Sequence, residues 1–139
     1  MSAVSYRRRK LETVCGLEIH GDSQFRRRTG EALLLLQPLE QFEVIQTHLA
    51  AIRQGKRSGV TASAARPVFT VGPPTWNYSP LWYGGAIAHD AYHAKLYRDA
   101  KNGDRQTDPE TDAWSGKTAE RACLSFQRQV LLALNADRT

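Results

Sequence analysis

Between Ile87 and Tyr97 the chain reads IAHDAYHAKLY, which sets His89 and His93 four residues apart with Asp90 directly after the first. On an α-helix, four residues amount to about 40° of rotation and about 6 Å of rise. Two imidazoles so placed can converge on one metal ion. Zinc takes such nitrogen ligands at about 2 Å, in a tetrahedral arrangement completed from elsewhere in the chain. A carboxylate beside the first histidine can take a proton from water that the metal has acidified. That is the logic of H-E-x-x-H helices, with Asp90 here at the glutamate position. The plainer alternative is two histidines that share a helix face by chance and need only hydrogen-bond partners.

The pair must be carried by a helix, and the flanking residues supply one. Ser79-Pro80 is a cap followed by a proline at the first helical position, and the helix is expected from Pro80 to about Lys101. On that helix His89 and His93 share a stripe with Trp82, Ala86, Leu96 and Ala100, expected to be buried. Ile87, Ala91 and Ala94 lie on the other side, as on a helix covered from both faces. A last helix is expected from about Lys117 to Leu134. Its apolar stripe runs through Cys123, Leu124, Phe126, Val130, Leu131 and Leu134, and Glu120 and Gln127 fall inside it. A carboxylate on a core-facing arc is costly unless it is paired or binds a metal, which makes Glu120 the candidate third ligand. The competing explanation is an acidic residue placed in a first turn by the helix dipole.

Upstream, Thr13–Ile19 reads as a strand, and Asp22 or Ser23 caps a helix over QFRRRTGEALLLLQ. Pro38 is expected to open a second helix in which Leu39, Phe42, Ile45, Leu49 and Ile52 fall at helical spacing, closed by the glycine-rich turn RQGKRSGV. Pro67–Val71 reads as a short strand. Pro67 at its start and Pro73-Pro74 at its end point to a sheet edge. GPPTWNYSP and NGDRQTDPETDAWSG read as loops. The expected architecture is α+β and mostly helical, with residues 1–12 a flexible basic tail and residues 13–139 a single domain.

The 139 residues carry 19 Lys and Arg against 14 Asp and Glu, and 41% are hydrophobic, enough for a real core. Much of the positive excess sits in Arg7–Lys10 and Arg26–Arg28. Neither run interleaves with aromatics, so both read as solvated surface rather than a nucleic-acid platform, with nucleic acid the secondary reading. No apolar run has membrane-spanning length, and no apolar segment follows the basic N-terminus, so neither a membrane partner nor secretion is expected. Cys15 and Cys123 do not make a disulfide framework and fit a reducing cytoplasm.

HDAYH together with the later AERAC resembles the zincin-type zinc metallopeptidases, in particular the gluzincins. In these, two histidines on an active-site helix and a glutamate on a following helix bind Zn2+. The resemblance spans roughly Pro67 to Leu134, while the N-terminal half has no matching motif. It implies a small zincin-like domain, metal ligands His89, His93 and Glu120, Asp90 as catalytic base, and a peptide or protein substrate paired along the edge strand Val68–Val71. One residue departs from the family: its base is glutamate. Asp90 is shorter by one carbon–carbon bond, about 1.5 Å. A displacement on the order of 1 Å can cost about 100-fold in rate. Two alternatives accompany this reading. AHDAYH also resembles the His-Asp step of HD-type phosphohydrolases, with His48 as the earlier ligand. A non-catalytic metal-binding interaction module is the other.

Overall fold

The computed structural model describes residues 11–101 and 114–137. Two places where sequence reasoning expected loop or tail, residues 1–10 and 102–113, lie outside these. The fold is α+β: a five-stranded mixed sheet with helices packed against it. The strands are β1 (Leu11–Val14), β2 (Leu17–His20), β3 (Ala51–Gln54), β4 (Gly59–Val60) and β5 (Val68–Val71). The helices are α1 (Ser23–Leu36), α2 (Phe42–His48), α3 (Pro73–Trp76), α4 (Pro80–Lys101) and α5 (Lys117–Asp137).

Where one strand was expected over Thr13–Ile19, the chain forms a hairpin. β1 and β2 pair antiparallel and turn through Cys15-Gly16, with φ of 52° and 84°. A two-residue turn with both φ positive suits the right-handed twist of the flanking strands. β1 begins at Leu11, so Leu11 and Glu12 belong to the sheet rather than to the tail. Leu17 and Ile19 turn inward and are fully buried.

Asp22 is the cap of α1: its Oδ1 accepts from the Phe25 amide at 2.8 Å. The Gln54 side chain grips the same residue, donating to Oδ2 and accepting from the backbone amide, which ties the start of α1 to the end of β3. α2 is shorter than the spacing suggested. It stops at His48, Leu49 is extended, and Ile52 lies in β3 at the centre of the sheet, fully buried. Pairing with strands on both sides overrides the last turn of the helical period. GPPTWNYSP is not all loop either, since Pro73–Trp76 makes one helical turn.

The strand order is β1-β2-β3-β5-β4. β2, β3 and β5 run parallel, and β4 returns antiparallel along β5. β5 is therefore an inner strand, which corrects the expected edge. Pro67 and Pro73 bound the ladder without interrupting it. The carbonyl of Pro67 accepts from Ala50, and the loop before β4 folds back to lie on the far side of β5.

α4 begins where Ser79-Pro80 places it, with Ser79 Oγ accepting from the Trp82 amide at 3.0 Å. It is the central helix, packed against α1, α2 and most extensively α5. Tyr83 is anchored to α1 by a buried hydrogen bond of 2.7 Å to Thr29 Oγ1. Tyr92 stacks on Phe126 of α5 with centroids 4.8 Å apart. Gly85 lets α5 close in: a Cβ there would meet Leu131 Cδ2 at 3.1 Å and Gln127 Cγ at 3.4 Å. The expected burial of the Trp82–Ala100 stripe is corrected: Trp82 is 47% exposed and Ala100 is exposed, while the buried face runs through Gly84, Ile87, Ala88, Ala91 and Ala94. The histidines sit on the flank of that face. On α5, Leu124 is likewise exposed rather than part of the core stripe.

Candidate metal centre

α4 and α5 bring His89, His93 and Glu120 together. His89 Nε2 lies 2.7 Å from Glu120 Oε1, and His93 Nε2 lies 3.1 Å from Glu120 Oε2. One carboxylate thus spans both imidazoles, whose centroids are 5.0 Å apart. The histidine side chains are 16% and 12% exposed and Glu120 47%, so the carboxylate sits on the solvent side of the pair rather than in the core stripe.

The other ring nitrogens settle what the inner ones can do. His93 Nδ1 is 2.7 Å from the main-chain carbonyl of Trp114, an acceptor only, so Nδ1 carries the hydrogen. His89 Nδ1 is 2.9 Å from Gln127 Oε1 and donates likewise. In the neutral rings both Nε2 atoms then present lone pairs. Two lone pairs and a carboxylate face one another, three acceptors around one point. Only added protons or a cation make that arrangement favourable. Ligands about 2 Å from a tetrahedral ion lie about 3.3 Å apart, so a small outward movement of Glu120 would admit one. Fixing ligand imidazoles through their far nitrogens is how metal sites set tautomer and orientation.

Cys123, one turn after Glu120 on α5, adds a donor that the sequence reading left in the apolar stripe. Ligand atoms of His89, His93 and Cys123 all lie within 4.8 Å of one another, a possible metal-binding site. Cys123 is fully buried, and burial together with the nearby carboxylates of Glu120 and Asp90 pushes its thiol up to about 12. Burial also lifts the carboxyl of Asp90 to about 6; the two histidines oppose that rise and Glu120 adds to it. Asp90 is therefore close enough to feel all three.

One support of the site is legible in retrospect. Gln127 stood on the same inward arc as Glu120. Trp114 contributes a backbone atom, which no residue type announces, and it is braced by an edge contact with Tyr97 at 5.4 Å. The tyrosines near the motif have packing contacts instead: Tyr83 with Thr29, Tyr92 with Phe126, Tyr97 with Trp114, and the exposed Tyr78 with Trp82. His48 stays outside the cluster and lines a separate surface cavity with Arg66 and Arg98. Among the described residues, His48 is not grouped with His89 and His93.

Comparison with protein-family models, with curated proteins and with solved structures gives no match for this chain. No helix among the described residues is long and apolar enough to cross a membrane. What fold and site define together is an α+β domain with a possible metal centre between its two longest helices.

Proposed function

We propose that the protein is a zinc-dependent hydrolase of the metallopeptidase type. Its zinc is held between α4 and α5 by His89 and His93 through Nε2 and by the carboxylate of Glu120. The observation that carries this is the pair of Nδ1 hydrogen bonds, to Gln127 and to the Trp114 carbonyl, which aim two lone pairs at one carboxylate. When bound, zinc lowers the pKa of water toward about 7 and polarises a carbonyl. Asp90, next to His89 and one turn before His93, receives the proton from the attacking water and passes it to the leaving amine. Gln127 and the Trp114 carbonyl keep the imidazoles oriented throughout.

The substrate edge needs revision, because both sides of β5 are paired. The sheet edge in contact with α4 is β4, and a Cβ on Gly59 would meet nothing within 4 Å. An extended peptide would add alongside Gly59–Val60, a short edge that holds few residues by main-chain bonds.

The test is metal analysis of purified protein joined to a peptide-cleavage assay. About one equivalent of zinc is expected in the wild type and none in a His89→Ala, His93→Ala double variant. Cleavage should vanish in Asp90→Asn with zinc retained. Loss of zinc in Asp90→Asn, or full activity in it, would sink this assignment.

A further inference from the structure

Cys123 changes what the metal centre is when no substrate is present. It stands one turn beyond Glu120 on the same helix, fully buried, and its sulfur lies with a nitrogen of each histidine inside a 4.8 Å group. Sulfur and nitrogen on one tetrahedral zinc are separated by about 3.6 Å, from bonds of about 2.3 and 2.0 Å. The sulfur therefore needs to close by at most about 1.2 Å, within the reach of a rotamer adjustment. Glu120 contacts the Nε2 atoms of the same pair, half exposed to water.

We infer that Cys123 is a further protein ligand of the metal proposed above. With His89, His93 and Glu120 it completes a closed four-ligand set in the resting protein. On ligation the S–H bond breaks, its proton goes to solvent, and the sulfur lone pair forms the bond to the ion; no electrons are transferred. Four protein ligands are the mark of a closed zinc site, whereas a catalytic one keeps a position open. The position that opens belongs to Glu120. Its carboxylate has water to move into, and the buried sulfur has nowhere to go. Were the Glu120 carboxylate to move aside for a substrate, His89, His93 and Cys123 would remain as the protein's ligands to the ion. A thiolate in that set also favours zinc and other thiophilic ions over magnesium or calcium.

This rests on the metal centre of the proposed function, and cobalt spectroscopy separates the two. Cobalt(II) is titrated into metal-free wild type, Cys15→Ser, Cys123→Ser and Glu120→Gln, and the His89→Ala, His93→Ala variant serves as blank. The expected result is a near-ultraviolet sulfur-to-cobalt charge-transfer band in the first two and in Glu120→Gln, lost in Cys123→Ser. Cys15 is the other cysteine of the chain. Persistence of the band in Cys15→Ser therefore assigns it to Cys123 even if Cys123→Ser fails to fold. Stoichiometric cobalt binding that depends on the histidines but shows no such band overturns the inference and leaves the histidine–glutamate centre standing. No cobalt binding at all overturns both.

Discussion

Replacing Gln127 by leucine tests the logic of the centre without touching a ligand. The side chains are close in volume, and the Gln127 stem already lies beside Gly85 in the α4–α5 contact, so leucine fills the same space. What is lost is the acceptor 2.9 Å from His89 Nδ1. Two consequences add. In the metal-bound protein the Nδ1 hydrogen has no partner, at a site only 16% exposed. A buried donor left unmade costs about 1–3 kcal/mol. In the metal-free protein the ring is released to its other tautomer, donating from Nε2 to Glu120 across 2.7 Å, a bond that metal must then break. Loss of such an outer partner typically weakens metal affinity about 10- to 100-fold. At 1.4 kcal/mol per decade this is about 1.4–2.8 kcal/mol, in line with the hydrogen-bond estimate. The assay is competition for zinc against a chromophoric chelator, with urea unfolding of the metal-free protein as control. Gln127→Glu, which offers a stronger acceptor, should bind at least as tightly as wild type. If Gln127→Leu is folded and binds zinc within twofold of wild type, the lone-pair argument for the site is wrong.

Asp90 should also be visible in stability. Its folded carboxyl titrates near 6, above the unfolded value of about 3.9, chiefly because it is buried. Between those values the folded state holds the extra proton, so its contribution declines as pH rises through 6. Asp90→Asn should raise the stability of the metal-free protein at pH 7.5, read from urea unfolding, by on the order of 3 kcal/mol, with little effect at pH 4. Lengthening the same side chain, Asp90→Glu, restores the reach of the family base, and cleavage should equal or exceed wild type; a tenfold loss would contradict the geometry. Tyr83→Phe strands Thr29 Oγ1 in the core and should destabilise by about 1–3 kcal/mol, read from thermal or urea unfolding. At the N-terminus of α1, the Phe25 amide, seconded by Gln54, holds the Asp22 carboxyl below its ordinary value. That gain exists above the unfolded value of about 3.9 and is lost as pH falls through the folded one. The stability gap between wild type and Asp22→Ala should therefore narrow steadily below pH 4, followed by urea titration.

Long helices with marked ends were readable in the sequence. α1 has its Asp22 cap, α4 its Ser79-Pro80 start, and α5 a stripe that repeats over about three turns. The three proposed ligands fell out of the same periodicity, since His89, His93 and Glu120 needed only two helices facing each other. Sheet details did not follow. Cys15 at φ 52° is a conformation that a cysteine seldom takes, so Thr13–Ile19 read as unbroken strand. Ile52 fitted a helical period and a strand equally well, and pairing to β2 and β5 decided it. The prolines around β5 pointed to an edge because sequence order hides that β4 comes back to cover it. Cys123 was legible as buried but not as a neighbour of His89, because its apolar stripe explained it fully. The Trp114 carbonyl had no signature at all.

That carbonyl gives the centre an unusual vulnerability profile. The bond to His93 comes from the main chain, so no exchange of the Trp114 side chain can delete it directly, and codon changes at that position are buffered. Chain continuity is another matter. Trp114 stands three residues before α5, and its ring meets Tyr97 of α4 while its carbonyl meets His93. A shift of the backbone at Trp114 would leave every candidate ligand intact, yet remove the acceptor that orients the His93 ring. Genetic tolerance at a position and mechanical tolerance of the backbone through it are then separate quantities. A library that scores point substitutions would see only the first.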